Sequence, residues 1–534
     1  MRKLIWIALA LGSVLPLKAQ QKKGHLVIGI VVDQMRQDYL YRYESRFCDS
    51  GFKRLMSEGY VSHNCNYNYI PTYTGPGHAS IYTGTTPAFH GIVGNDWFDR
   101  AAGRMMYCTE DSSVSASGWS KGQSPKNLLA TTMTDQLRLA SQFRSKVIGV
   151  SIKDRSSVIP AGHHPTGAYW FDPKIGRLTS SDYYHDSLPE WVNAFNRRAL
   201  PLSYMEQNWT TLFPIESYTA SAPDDNPYES RFQKDRAPVF PYPLAEIQQK
   251  WGYKLMNFTP FGNSFVIEAG KAAIEAHQLG QGSETDFLAM SFSATDYAGH
   301  FFGPQAVEVE DMYLRLDRDL AAFMAYLDKT IGKGNYTLFL TADHGGNDVP
   351  TLLNEHGMPG GLLKVDSLQL AIKNALKQQF GDSLVLHFIN EQLYLDQAVL
   401  AKRKLTSLDI AQYLRVFLAK EPSILKIYAS GELNSAGHAM DSRVYMGYMA
   451  RRSGDICFLT APGWMDYGAT GTTHGSAFTY DTRVPFLAMG PGIQAKHSFE
   501  PMQITDIAPS ISALLKIAFP NAVTGRVNTE MLKP

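Results

Sequence analysis

"HLVIGIVVD", residues 25 to 33, is the stretch whose reading decides the fold. From Leu26 to Val32 the run is apolar without interruption, and it ends on Asp33. A strand with one wet face would alternate apolar and polar residues. An unbroken run rich in Val and Ile is expected of a strand buried on both faces, as in a parallel sheet covered by helices. The same form returns in "SKVIGVSIKDR" (145–155), "DFLAMSFSATD" (286–296) and "NYTLFLTADHGG" (335–346), where a hydrophobic strand passes into polar residues. "VPFLAMGPG" (484–492) is a fifth candidate strand, without the acidic ending.

Helical patterns separate these runs. Met312, Leu316, Leu320, Phe323 and Leu327 keep the three-to-four spacing of one apolar helix face, and "ITDIAPSISALLK" (504–516) reads as a closing helix. Alternating strands and helices predict an α/β fold: a doubly wound, mostly parallel central sheet with helices on both faces. Two stretches break the rhythm, at about 180–250 and about 347–470, and read as insertions that fold over the sheet as cap regions. The second contains a helical pattern at 365–379 and two strand-like runs, "LVLHFI" (384–389) and "RVYMGYM" (443–449).

The N-terminus has Arg2 and Lys3, an apolar run from Leu4, and Leu17 and Ala19 at the −3 and −1 positions of a cleavage site. Residues 1–19 are therefore expected to be a secretory signal peptide, leaving one catalytic domain over 20–534 in an exported protein, periplasmic or secreted. The residue directly after the cleavage site is Gln20 rather than Cys, and no later run has the ~18 apolar residues of a span, so no membrane anchor is expected. Lys+Arg and Asp+Glu are both 50, a balance that argues against nucleic acid or a charged membrane surface as partner. Cys48, Cys65, Cys108 and Cys457 would allow two disulfides in three connectivities, and no CxxC pair points to a thiolate zinc site.

In such sheets ligands bind outside the carboxyl ends of the strands, so the polar strand endings are candidates for one site. They are Asp33, Asp296 with His300 in "DYAGH", and Asp343 with His344 in "TADHGG"; His474 in "TTHGS" is placed with them. Singly, each has an ordinary reading as a helix cap or a surface residue. Together they supply three carboxylates and three imidazoles, a mixed O and N donor set that suits zinc and the paired metals of phosphate ester hydrolysis. A Walker loop, HEXXH and GXSXG are all missing.

In this chain order the residues resemble the alkaline phosphatase superfamily. The resemblance implies two zinc ions per chain: Asp33, Asp343, His344 and the Thr74 hydroxyl would hold one, and Asp296, His300 and His474 the other. Thr74 lies in "NYIPTYTGPGHASIYTGTTPAFHGIVGND" (68–96), just before "GPGH" and a helix expected to start near His78. There its hydroxyl would sit by a helix N-terminus, which favours an anion. The superfamily places a Ser, Thr or formylglycine nucleophile at this point, and no Cys-x-Pro-x-Arg of a sulfatase is present.

Asn95 in "HGIVGND", Lys153 and Arg155 in "IKDR", and "IPAGHH" (159–164) are similar to the phosphate-irrepressible, PafA-type branch. Lys153 and Arg155, two apart at a strand's end, are expected to project the same way. The resemblance implies that Asn95, Lys153 and Arg155 contact the non-bridging phosphoryl oxygens. Lys153 would stand where three-metal relatives place magnesium. The function expected is hydrolysis of small-molecule phosphate monoesters through a covalent phospho-threonine. The alternatives are a phosphodiesterase or nucleotide pyrophosphatase of the same superfamily, a phosphonate or sulfate ester hydrolase, and a non-catalytic zinc-dependent phosphate-binding protein.

Overall fold

The computed structural model describes residues 25–115, 121–433 and 439–533, so the leader read in residues 1–19 lies outside the described residues. The opening run forms β1 (His25–Val32), and every residue after His25 is buried. Eight further strands make the path of the central sheet: β2 (Tyr60–Asn66), β3 (Val147–Ser151), β4 (Gly167–Asp172), β5 (Arg177–Thr179), β6 (Thr285–Phe292), β7 (Tyr336–Thr341), β8 (Arg483–Met489) and β9 (Lys496–Ser498). Their order is β9-β2-β8-β7-β1-β6-β3-β4-β5, with a short strand, Met502–Gln503, also pairing with β2. β7, β1, β6, β3 and β4 are mutually parallel. β8 runs antiparallel to β7. That direction explains why the fifth apolar run has no acidic ending: its carboxyl end faces the opposite edge from the other four.

The helices that matter for the site are α1 (Thr74–Thr83), α2 (Arg155–Ala161), α3 (Ala294–Phe302) and α4 (Val307–Leu327), with α5 (Ile507–Leu515) closing the chain. The five apolar positions predicted on one face of α4 are all buried in the main core. α1 is buried along all ten residues. It packs so close to the end of β7 that a Cβ on Gly77 would lie 2.3 Å from the Asp343 carbonyl oxygen.

Between β7 and β8 the chain builds a second, antiparallel sheet in the order Val385–Ile389, Gln392–Leu395, Ile456–Thr460, Ile424–Ala429. Helices Val365–Phe380 and Ser407–Phe417 cover it and share its separate apolar core. "RVYMGYM" is not a strand: it lies mostly in the helix Ala439–Gly447. Met440, Val444, Tyr445 and Tyr448 pack together in one cluster, and their spacing of three to four is helical. The stretch rich in Pro and aromatics near 238–254 is packing, since Phe240, Tyr242 and Trp251 join Trp209, Phe232 and Phe258 in one aromatic cluster. All four cysteines are free thiols, so neither disulfide forms. Cys65, Cys108 and Cys457 sit in three different packing clusters.

Candidate active site

The carboxyl ends of the parallel strands bring the predicted acids to one edge. Asp33 follows β1 directly, and Asp343 follows β7 by two residues. Asp296 lies in the first turn of α3, just after β6, with His300 one turn further on the same helix face. His474 differs from the expectation, because it does not end a strand. It enters from the loop before β8, where the Asp481 carboxylate accepts N–H bonds from Gly475 (3.1 Å) and Ser476 (2.8 Å).

Two groups of donors result: Asp33, Asp343 and His344, and Asp296, His300 and His474. Within each group the ligand atoms lie within 4.8 Å of one another. In all three imidazoles Nδ1 meets a backbone carbonyl: Gly345 for His344 (2.9 Å), Thr472 for His300 (2.7 Å) and Thr72 for His474 (2.6 Å). An Nδ1–H donated in this way leaves the Nε2 lone pair for a cation. In the first group Asp33 Oδ1, Asp343 Oδ2 and His344 Nε2 are buried with no hydrogen-bond partner among the described residues, and the imidazole nitrogen faces the two oxygens at 3.4 and 3.5 Å. Buried polar atoms are rarely left so, and a carboxylate–imidazole set of orphans fits a divalent metal taking N and O ligands.

The electrostatics favour an added cation in the first group, whereas in the second His300, raised by Asp296 against burial, already balances that carboxylate. Burial and the neighbouring Asp33 push the Asp343 carboxyl well above its usual range. Burial takes His344 down to about 3. Burial, then His344 and His300, hold His474 well below the ordinary imidazole value. The neutral His344 and His474 rings stack at 3.4 Å between centroids. Burial opposes ionisation of Asp296 as well, but His300 and Lys153 outweigh it and hold that carboxyl well below its usual range.

Lys153 joins the two groups. Its Nζ lies 2.7 Å from Asp33 Oδ2 and 2.5 Å from Asp296 Oδ2, one carboxylate from each. It does not share an orientation with Arg155 by strand alternation. β3 ends at Ser151, so Lys153 sits in the turn and Arg155 opens α2. Both nevertheless face the site. Arg155 Nη2 donates to Thr74 Oγ1 at 3.4 Å and Nη1 to the Tyr107 hydroxyl at 3.1 Å, while its buried Nε has no partner among the described residues.

Thr74 is buried, and α1 begins at Thr74 itself, four residues earlier than expected, with Tyr73 extended as its cap. The first turn offers less to an anion than a bare helix end would. Asn95 Oδ1 accepts the Gly75 N–H (2.8 Å) and Pro76 has none, so two of the first-turn donors are gone. Asn95 thereby turns its NH2 into its remaining donor group.

Three neighbours escaped the sequence reading. Gln34 donates its side-chain amide to Asp296 Oδ1 (2.9 Å) and its backbone N–H to Asp343 Oδ1 (3.2 Å), so it also links the groups. It sits at φ 60°, and a Cβ on Gly299 would lie 1.9 Å from its Oε1. His78, taken down to about 4 by burial, has Nδ1 2.9 Å from the Thr74 carbonyl and Nε2 2.9 Å from Ser291 Oγ. Tyr107 donates to Asp154 Oδ1 at 2.5 Å and holds Arg155 from outside. Only adjacency to Asp33 and to "GPGH" could have marked the first two; nothing local marks Tyr107.

The sequence profile described as type I phosphodiesterase / nucleotide pyrophosphatase matches residues 27–481. The chain is 46% identical over 517 residues to alkaline phosphatase PafA of Elizabethkingia meningoseptica, covering 95% of this chain and 94% of that one. It is also 46% identical over 528 residues to alkaline phosphatase PhoV of Synechococcus elongatus, covering 98% and 95%. The crystal structure of wild-type alkaline phosphatase PafA superposes with a TM-score of 0.91 at 45% identity, covering 96% of this chain and 99% of that one.

Proposed function

Because this chain belongs to the type I phosphodiesterase / nucleotide pyrophosphatase family of the alkaline phosphatase superfamily, we propose that its Thr74 attacks the phosphorus of a phosphate monoester. The chain is a phosphoric monoester hydrolase, like the alkaline phosphatases it matches along nearly its whole length. The observation that carries the Thr74 reading is its place at the head of α1, with its hydroxyl against Arg155.

Asp33, Asp343, His344 and the Thr74 hydroxyl would hold one zinc ion, and Asp296, His300 and His474 a second. When bound, the two ions supply Lewis-acid neutralisation of the attacking and leaving oxygens. The protein's own groups do the rest. His78 fixes the first turn of α1 from behind, which points the Thr74 hydroxyl into the site. As the Thr74 Oγ1–phosphorus bond forms, Thr74 gives up its hydroxyl proton, the ester bond breaks, and its electron pair leaves with the alcohol oxygen, which takes up a proton in turn. Water then displaces Thr74 from the resulting phospho-threonine.

The equatorial oxygens are matched by the Arg155 guanidinium, with its unpartnered Nε, and the Asn95 NH2. Lys153 keeps Asp33 and Asp296 in register and adds positive charge between them. A monoester dianion carries one more charged oxygen than a diester, so this cationic pair favours the monoester. The leader read in residues 1–19 would export the enzyme, and among the described residues no helix is long and apolar enough to cross a membrane.

The test is the ratio of kcat/KM for a monoester and a diester sharing one leaving group, with zinc supplied. The monoester should be strongly favoured. Lys153→Ala with Arg155→Ala should cost the monoester far more than the diester. A wild-type preference for the diester would refute the role given to the pair.

A further inference from the structure

Beside His474 lies a chamber of about 260 Å³ that the chemistry above does not use. Tyr73, Phe388, Glu391, Trp464, Asp466 and His474 are among its walls. It meets the active site at two points: His474, a member of the second donor group, and Tyr73, which immediately precedes Thr74. The Tyr73 ring packs edge-on against His474, with centroids 5.6 Å apart, and its hydroxyl donates to Glu391 Oε2 at 3.1 Å.

Glu391 is carried there by the second sheet. Asn390 and Glu391, at φ 52° and 54°, form the two-residue turn between the strands Val385–Ile389 and Gln392–Leu395. Asn390 Nδ2 donates to the Asp96 carbonyl at 2.7 Å, beside Asn95. The turn is thus pinned at once to the residue before the nucleophile and to the loop carrying Asn95.

The charge of the chamber is one-sided. No lysine or arginine lines it among the described residues, whereas Glu391 and Asp466 both do. The third acid, Asp481, is already engaged by the Gly475 and Ser476 N–H groups. Tyr73, Phe388 and Trp464 add aromatic walls that accept a flat or cationic group.

We propose that this chamber receives the alcohol part of the ester and selects it by charge, admitting neutral or cationic leaving groups and disfavouring anionic ones. The proposal rests on reading Asp296, His300 and His474 as the leaving-group side of the reaction. The positive groups of the site face the phosphoryl oxygens, and the carboxylates of the chamber face what departs.

The test uses the zinc-loaded enzyme at pH 9, above the value of about 7 to which burial lifts the Glu391 carboxyl. The substrates are trimethylammonio-phenyl phosphate and carboxyphenyl phosphate. The readout is the ratio of their kcat/KM values in the wild type, Glu391→Gln and Asp466→Asn, because intrinsic leaving-group reactivity cancels between variants. Each substitution should lower the cation-to-anion ratio, Glu391→Gln by about tenfold, the scale of one like-charge contact in a partly screened site. Calorimetric titration with trimethylanilinium and with benzoate reads the same preference without turnover, and the wild type should bind the cation more tightly. An unchanged ratio in both variants, or equal binding of the two analogues, would overturn the proposal. Failure to hydrolyse any monoester would instead overturn the function from which it starts.

Discussion

Replacing Lys153 by methionine keeps the length of the side chain and removes a charge that two carboxylates share. Its Nζ lies 2.7 Å from Asp33 and 2.5 Å from Asp296, and the three side chains are 3%, 0% and 5% exposed. Removing one partner of a buried ion pair costs about 3–5 kcal/mol, because the other charge stays buried and uncompensated. An unfolding entropy of about 2.1 cal/mol/K per residue gives roughly 1.1 kcal/mol/K for 534 residues, so the apparent Tm should fall by about 3–5 °C. That drop belongs to the metal-free protein. With zinc at both donor groups the two carboxylates have other cations, and the drop should shrink. In catalysis Lys153 acts through the positive charge it adds between Asp33 and Asp296, and its loss should cost about 1.5–3 kcal/mol, the scale of one charge-assisted contact, or roughly tenfold to a hundredfold in rate. The loss should fall on monoesters, which have a charged oxygen where a diester carries a substituent. Thermal melts with chelator and with zinc, together with kcat/KM on a matched monoester and diester, measure both effects. Equal Tm drops in the two melts and equal losses on the two substrates would refute the reasoning.

Chelation should abolish activity and zinc restore it, with about two zinc per chain by elemental analysis, as paired-metal hydrolysis requires; full activity in a zinc-free, magnesium-only sample would contradict the donor-set argument. Arg155→Lys keeps the charge but loses the forked donor that spans Thr74 and Tyr107, so kcat/KM should fall by roughly tenfold or more, measured on a monoester at saturating zinc. His163 Nδ1 lies 2.8 Å from Asp135, which raises the imidazole against burial, while the His163 bond lowers the Asp135 carboxyl against burial. The histidine's contribution is full below its unfolded value of about 6.5 and is lost as pH rises through its raised folded value. The aspartate's contribution is lost only at acid pH, as pH falls through its lowered folded value. The Tm difference between wild type and His163→Gln should therefore narrow as pH goes from 6 to 9, and a constant difference would remove the pair from the pH response.

The parallel part of the fold was legible because burial on both faces leaves a mark that local sequence cannot hide. The runs at Leu26, Val147, Phe287 and Leu338 are all central strands. β2, β4 and the three-residue β5 and β9 carry no such mark. "YVSHNCN" mixes polar residues into a strand nearer the sheet's margin, and "GAYWFD" is short and aromatic. "RVYMGYM" misled because five of its seven residues are apolar or aromatic, and only the packing of Met440, Val444 and Tyr448 shows a helical period. In the site, acids and imidazoles next to strand ends could be found from spacing. The link between the donor groups through Lys153 and Gln34 could not, since it joins residues more than a hundred apart. Tyr107 ends a short strand, Arg104–Tyr107, and Glu391 lies in a hairpin turn, and the approach of both to the site is set by tertiary packing alone.

Thr74 is the proposed nucleophile, and trapping the intermediate tests that role most directly. Enzyme mixed with a labelled phosphate monoester and quenched in acid should carry label on the peptide containing Thr74. Thr74→Ala should lose that label along with several orders of magnitude in kcat, the scale of a lost covalent path, while Thr74→Ser keeps a hydroxyl and retains much more. Label confined to another residue, or wild-type turnover by Thr74→Ala, would contradict the account.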